Sequence, residues 1–190
     1  MKTLRVIIFL VVALVQLTVP ASAIWKHEQT LRHGRVWKLK TAPVDPEDAV
    51  RGRYIALRFA AEEVPHELAL PKDSYSLSGK ILYAVLKEGE DGFAQIDRVS
   101  ETSIRGDNVI NVSPGGWRQD RAYLVFPFNR FWVSEANAPA AEKAYLENSR
   151  RGKENAYVTV RVRDGDAALE QLYIDNHPLS EYLSARGLKK

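Results

Sequence analysis

The chain of 190 residues contains no cysteine. It therefore has no disulfide scaffold, no thiolate ligand for zinc and no cysteine nucleophile. This absence leaves the compartment open, because a cysteine-free protein suits oxidising and reducing surroundings alike. The sequence also lacks a Gly-x-Ser-x-Gly nucleophile elbow and a glycine-rich phosphate loop. Acyl-transfer and nucleotide-dependent chemistry thus lose their usual support.

Histidine is scarce and shows no metal-binding spacing. None of the four histidines has a second histidine or a carboxylate at the spacing of an HExxH site; they are His27, His33, His66 and His177. The carboxylates at residues 45–48 are too few for a hard-cation site and are explained by capping of a helical turn. We therefore predict neither a metal nor a cofactor.

Charge of either sign is missing from Val6 to Trp25. Twenty uncharged residues are about the length of a membrane-spanning helix. The unbroken apolar run is shorter, residues 6–15, and the small residues at 21–23 resemble a signal-peptide cleavage site. Two interpretations of residues 1–25 therefore stay open, a retained anchor and a signal peptide cleaved near Ala23. Trp25 suits a membrane interface and favours the retained anchor.

The flanking charges and the export signal favour opposite orientations of this segment in the membrane. Lys2 and Arg5 precede it, and five lysine or arginine residues follow between positions 26 and 40. The positive-inside count would keep the following domain in the cytoplasm. Long domains are translocated largely regardless of such charges, and the segment otherwise reads as an export signal. We expect a single-pass inner-membrane protein with a periplasmic domain, or a soluble periplasmic protein after cleavage.

The remaining chain is nearly neutral, which bears on its partners. Of the 27 basic residues, 25 remain when Lys2 and Arg5 are set aside, against 24 acidic residues. No basic face and no nucleic-acid-binding module is recognisable, so we expect no nucleic-acid partner. The local basic excess at residues 26–40 fits either acidic lipid headgroups or a solvated surface.

Short strand patterns dominate residues 26–190 and predict one β-rich domain. The clearest alternation covers residues 156–163, and Asp164-Gly165 turns it back into residues 168–174. Another hairpin is expected from residues 80–87 and 93–99. The remaining strands are expected at 35–40, 54–60, 107–112, 121–126 and 131–133, with a long loop at 62–78 and a turn at 114–116.

Only residues 139–150 favour an internal helix, because they combine good helix formers with a glycine just past the end. About nine short strands and one short helix, preceded by an N-terminal hydrophobic helix, predict an all-β class. The architecture is expected to be an antiparallel sandwich or a small barrel.

The most distinctive stretch, residues 43–59, is a rigid turn that leads into a strand. Pro43 and Pro46 fix φ, and Asp45 caps a single helical turn. Gly52 lets the backbone change direction before the strand. The apolar side chains of the strand are Tyr54, Leu57 and Phe59.

This stretch resembles the signature of the bacterial GDYXXLXY family. Gly52, Tyr54 and Leu57 match the signature, Phe59 stands for its last tyrosine, and Arg53 replaces its aspartate. Softer matches at residues 123–142 and 158–179 extend the resemblance over most of the chain after residue 30. The resemblance implies a membrane-associated domain of unknown activity, often found beside polytopic membrane proteins, and it favours an uncleaved anchor. Because Arg53 reverses the charge, no role of the family's carboxylate transfers to it.

A Ser-Lys dyad is the strongest enzymatic candidate. Ser76 or Ser78 lies close to Lys80, just before an apolar strand, and a desolvated lysine there would activate a hydroxyl group. The same residues also fit a plain turn. This reading defines the alternative function, a membrane-tethered hydrolase.

Aromatic residues beside an arginine form the other candidate site. Phe126, Phe128, Phe131 and Trp132 fall within seven positions around Arg130. Such residues anchor protein interfaces, but a core with one exposed ring explains them as well. Glu135 fits a structural ion pair with Arg130 or Arg121 better than a catalytic acid.

The expected interaction surface is therefore Arg130, Phe131, Trp132 and Glu135. The predicted function is a non-enzymatic accessory partner of a polytopic inner-membrane protein. Besides the tethered hydrolase, a lipid- or polysaccharide-binding domain that uses the aromatic run stays open.

Overall fold

The computed structural model describes residues 2–42, 54–65, 79–118, 121–149, 153 and 155–187, with the backbone alone at residues 2, 117 and 118. Of the predicted signature, Pro43, Asp45, Pro46, Gly52 and Arg53 lie outside these residues, and so do Ser76 and Ser78.

The N-terminal segment forms one long helix, α1, Lys2–His33. Within the described residues it is the single helix that is long and apolar enough to cross a membrane. Its large apolar side chains from Leu4 to Trp25 are exposed almost throughout. The helix runs eight residues beyond the segment expected to be apolar, and this last part contacts the domain.

The domain consists of short strands with two helices near its end. The strands are β1 Arg35–Lys40, β2 Tyr54–Ala56, β3 Glu63–Pro65, β4 Leu82–Glu88, β5 Ala94–Ser100, β6 Val109–Arg118, β7 Arg121–Val125, β8 Arg130–Trp132, β9 Ala156–Arg163, β10 Asp166–Ile174 and β11 His177–Pro178. The helices are α2 Ala138–Ser149 and α3 Leu179–Ala185, and a 3-10 turn covers Ala60–Glu62.

The strands form three antiparallel sheets, ordered β1-β9-β10-β11, β3-β7-β6-β4-β5 and β2-β8. A bridge between Ile110 and Gly165 and another between Thr41 and Phe59 connect them. The arrangement is barrel-like and encloses one core, whose fully buried side chains include Leu39, Leu82, Ile110, Val160 and Leu172. An all-β class with a preceding apolar helix was expected, and a mostly-β domain with that helix is what the structure shows. The described residues contain eleven strands where about nine were expected.

Two local predictions were wrong. The Pro114-Gly115-Gly116 sequence does not end its strand, because a bulge between Pro114 and Gly116 absorbs it and β6 continues to Arg118. A second internal helix, α3, was missed. It is only seven residues long, but Leu179, Tyr182 and Leu183 are buried at helical spacing.

The Asp164-Gly165 turn between β9 and β10 is confirmed as a two-residue hairpin. Both residues have positive φ, 50° and 92°, as a type I′ turn requires. A Cβ at Gly165 would lie 2.8 Å from Asn111 Oδ1. The turn also connects two sheets, because Asn111 N donates to Gly165 O at 3.0 Å.

Replacing Gly165 by alanine should therefore lower the free energy of unfolding by about 1–3 kcal/mol, because a left-handed φ is strained for alanine and the added methyl group would meet Asn111. Urea denaturation of the full-length chain in mild detergent measures the change. Gly92→Ala is a matched control for strain alone, since its φ is 76° but no atom lies within 4 Å of the position that the added methyl group would take. Equal losses for the two variants would show that the Asn111 contact contributes nothing.

Candidate functional site

The signature residues that the structure describes divide into a buried pair and a half-buried tyrosine. Leu57 and Phe59 are buried, and Leu57 N donates to Asn129 O at 2.9 Å. Tyr54 is half-buried. The strand β2 ends at Ala56, earlier than expected, and Phe59 rejoins the sheets through its bridge with Thr41.

Most of the aromatic run belongs to the core. The ring of Phe59 lies 5.7 Å from that of Phe126 and 5.5 Å from that of Phe128, and the latter two are 5.4 Å apart. All three are buried. Trp132, by contrast, is 66% exposed. The reading of a core with one exposed ring thus describes this run better than a wide aromatic platform.

Tyr54 connects the signature with the expected interaction surface. It pairs with Trp132 across β2 and β8, and their rings make an edge contact at 5.3 Å. The guanidinium carbon of Arg130 lies 4.9 Å from the centre of the Tyr54 ring, a cation–π contact. These three residues, Tyr54, Arg130 and Trp132, are called the rim cluster below.

The other two residues of the expected surface lie elsewhere. Phe131 points to the opposite face of β8, where it is half-buried against the core. Glu135 is exposed in the turn before α2. Arg121, one of its expected partners, pairs with Glu63 at 3.2 Å.

A cleft of about 690 Å³ opens beside the rim cluster. Its walls come from three elements that are distant in sequence: α1, β8 with the loop before it, and the first half of β10. The lining residues are His27, Pro127, Phe128, Asn129, Arg130, Phe131, Trp132, Ala167, Ala168, Leu169 and Glu170.

The last turns of α1 fix one end of this cleft. Lys26 Nζ lies 2.9 Å from Asp166 Oδ2, and Arg163 Nη1 donates to Gln29 Oε1 at 3.4 Å. Thr30 is buried. Gly34 follows so closely that a Cβ there would lie 2.5 Å from Thr30 O, so only glycine fits without a shift. His27, which lines the cleft, is two residues along the chain from Trp25, where the uncharged segment ends.

The two charged side chains that line the cleft, Glu170 and Arg130, differ in whether they form an ion pair. Glu170 pairs with Arg161 at 2.9 Å. Within the described part of the chain, Arg130 has its contact with the Tyr54 ring but no carboxylate partner. A ligand or partner in the cleft would therefore meet one cation for which the described residues provide no carboxylate.

The described residues offer little catalytic machinery. They contain no group of three or more histidine or acidic residues that could hold a metal ion. Lys80, the lysine of the expected dyad, is half-exposed and lies 3.3 Å from Glu101 Oε2. It is thus not the desolvated lysine that such a dyad requires.

Glu62 is a half-buried carboxylate with a structural role. Its two oxygens accept hydrogen bonds from the backbone N–H groups of Phe59, at 3.1 Å, and Phe126, at 3.3 Å. Burial raises the pKa of Glu62 above its ordinary value of 4.5, although these two bonds and the nearby Arg58 oppose the shift. The carboxylate thereby connects the signature segment to the aromatic core.

Replacing Glu62 by alanine should lower the free energy of unfolding by about 1–3 kcal/mol, because two backbone donors lose their acceptor. The raised pKa also gives the effect a pH dependence. The contribution of Glu62 to the free energy of unfolding is largest below its ordinary pKa. This contribution is lost as the pH rises through the raised pKa that Glu62 has in the folded protein. Denaturation curves of wild type and Glu62→Ala should therefore differ more in acid than at neutral pH, whereas a difference that shrinks on acidification would mean a lowered pKa.

The sequence alone indicated the wall of the cleft that β8 forms, but not the walls that α1 and β10 form. Arg130 and Trp132 were singled out by their residue types. Ala167, Leu169 and His27 carried no chemical signal, and only the contact of β10 with α1 brings them to the same place. The alternation of β10 predicts a strand but not which of its edges stays open.

A family model described as GDYXXLXY protein matches residues 16–172. The matched region includes the second half of α1, the rim cluster and both strand walls of the cleft. No curated protein sequence and no solved structure matches the chain significantly.

Proposed function

The chain belongs to the GDYXXLXY family, and from this premise we propose that it is a membrane-anchored accessory protein that binds a polytopic inner-membrane protein. In this proposal α1 is retained as a single-pass anchor and the β domain stands on the periplasmic side. The function is binding and not catalysis.

One observation carries the proposal: the cleft and the rim cluster lie at the base of an exposed apolar helix. The large apolar side chains of α1 from Leu4 to Trp25 are exposed, and a bilayer is the environment that suits them. With α1 in the membrane, the cleft would open next to the membrane surface, because His27 lines it. An adjacent membrane protein would meet Arg130 and Trp132 there, the residue types that most often anchor interfaces.

The anchor also holds the domain in a defined position. The Lys26–Asp166 and Gln29–Arg163 contacts fasten the end of α1 to the β9–β10 hairpin. The cleft is therefore presented at a fixed height above the membrane instead of on a flexible tether. Such a placement favours a partner that is itself embedded in the same membrane.

The alternatives receive less support from the geometry. A tethered hydrolase with a Ser-Lys dyad would require a desolvated lysine, whereas Lys80 is half-exposed and paired with Glu101. A polysaccharide-binding platform needs several exposed rings, whereas Phe126 and Phe128 are buried.

Affinity purification of the tagged full-length chain from gently solubilised native membranes tests the proposal. A polytopic protein should co-purify in near-stoichiometric amount, and mass spectrometry of the bait should recover peptides from residues 4–25. Recovery of the bait alone would contradict the accessory role, and a bait that starts at Ile24 would contradict the retained anchor.

A further inference from the structure

The cleft is bordered by strand edges and not by a sheet face. One face of a strand presents alternate residues, yet the cleft is lined by consecutive residues, 127–132 on one side and 167–170 on the other. In the described part of the chain, β8 pairs only with β2, and β10 pairs on its outer side only at Tyr173 and Ile174, with β11. Among the described strands, none pairs with the outer edge of β10 before these residues.

The register shows which backbone groups are free on β10. The hairpin closes at the Arg163–Asp166 pair, which is hydrogen-bonded in a two-residue hairpin. Because antiparallel pairs alternate between bonded and non-bonded, the backbone groups of Ala168 then face β9, while the N–H and C=O groups of Ala167 and the N–H group of Leu169 point away from it. The regular alternation ends there, because the register shifts between Leu169 and Gln171.

The same alternation applies to β8. Leu57 N donates to Asn129 O, which makes this pair a bonded one. Phe131 then bonds to β2, and the backbone groups of Arg130 and Trp132 point away from β2. Four residues, Arg130, Trp132, Ala167 and Leu169, thus direct backbone donors and acceptors to the side of the cleft, and none has a backbone hydrogen bond to another described residue.

We propose that the cleft binds an extended segment of the polytopic partner by strand addition, with a carboxylate of that segment opposite Arg130. This inference rests on the proposed function and names the chemistry of its interface. Open edges recognise an extended chain through backbone hydrogen bonds, whatever its sequence. The guanidinium of Arg130, which has no carboxylate partner among the described residues, selects an acidic residue, and the exposed Trp132 covers the segment from the solvent side.

The anchor determines which part of the partner is bound. Since His27 lines the cleft two residues from Trp25, the occupant lies close to the membrane surface. A segment that has just left a transmembrane helix of the partner satisfies this position. A soluble protein would have to approach a cleft whose one end is closed by α1.

Two substitutions at Ala167 separate backbone pairing from side-chain contact. Ala167→Pro removes a donor that points away from β9, so it spares the β9–β10 ladder. Ala167→Val keeps the donor and favours a strand. In the full-length chain, Ala167→Pro should reduce the recovered partner about tenfold, the effect of losing one backbone bond and the adjacent fit, whereas Ala167→Val should leave it nearly unchanged.

A photo-reactive amino acid at position 169 identifies the occupant, with position 125 as a control because Val125 is exposed on β7. Irradiation of intact membranes should attach position 169, but not 125, to an extramembrane segment beside a transmembrane helix of a polytopic protein. Attachment to a second copy of this chain, to residues 43–53 or 66–78 of the same chain, or to lipid would overturn the inference, and so would the absence of any product.

Amide exchange keeps the inference testable if the proline variant folds poorly. In wild type, the peptide covering residues 166–172 should exchange more slowly in the purified complex than in the free chain. Unchanged exchange in a complex that still contains the partner would overturn strand addition while leaving the accessory role intact. A purification that yields no partner would instead contradict the proposed function itself.

Discussion

Replacing Phe59 by alanine should lower the free energy of unfolding by about 3–5 kcal/mol, the range for large buried aromatic residues. Phe59 is 2% exposed and contacts the rings of Phe126 and Phe128. It also directly precedes the 3-10 turn that ends at Glu62, whose carboxylate accepts a hydrogen bond from the backbone N–H of Phe126. The loss therefore combines a cavity with the removal of two aromatic contacts.

Thermal and urea denaturation of the full-length chain in mild detergent measure this effect, and the melting temperature should fall by on the order of 10 °C. Val125→Ala is the control, because Val125 is exposed on a neighbouring strand. If Phe59→Ala were no more harmful than the control, the last signature position would not be a core position.

Replacing Trp132 by alanine should weaken partner binding about 30-fold, as expected for an interface residue worth about 2 kcal/mol. Trp132 is 66% exposed, so its removal costs the fold mainly the edge contact with Tyr54, at most about 1.5 kcal/mol. Arg130→Ala should have a similar effect on binding, because within the described residues Arg130 is the cleft's cation without a carboxylate partner.

Quantitative co-purification from native membranes measures the effect, with partner per bait compared between variants. Val125→Ala again serves as the exposed control. A Trp132→Ala protein that keeps its stability and its partner would remove the rim cluster from the interface. A variant that loses both would indicate a structural role for the tryptophan instead.

Local patterns predicted much of the fold. The hairpins at residues 82–100 and 156–174 and the helix α2 follow from alternation, turn residues and helix propensity within short stretches. The Pro114-Gly115-Gly116 sequence was wrongly predicted to be a turn, because turns and bulges favour the same residue types. Only the pairing of β6 with β7 shows that it is a bulge. The short strand β3 was hidden inside an expected loop, because its pairing with β7 is long-range.

The candidate site was only half predictable for a related reason. Arginine and tryptophan near one another indicate an interface from composition alone, and the structure does place Arg130 and Trp132 on one face of β8. Phe131 was expected beside them, but the period of two in a strand turns it toward the core. The open edge of β10 depends on where β11 ends its pairing, which no local pattern of the sequence encodes.

The most direct test of the account is the side of the membrane on which the domain stands. The chain lacks cysteine, so single cysteines at exposed Ser103 and at Thr3 report the two ends of the anchor. In cells with a permeabilised outer membrane, a membrane-impermeant maleimide should label Ser103→Cys but not Thr3→Cys, and both chains should keep their full length. Labelling of Ser103→Cys only after the inner membrane is opened would place the cleft in the cytoplasm and contradict the account.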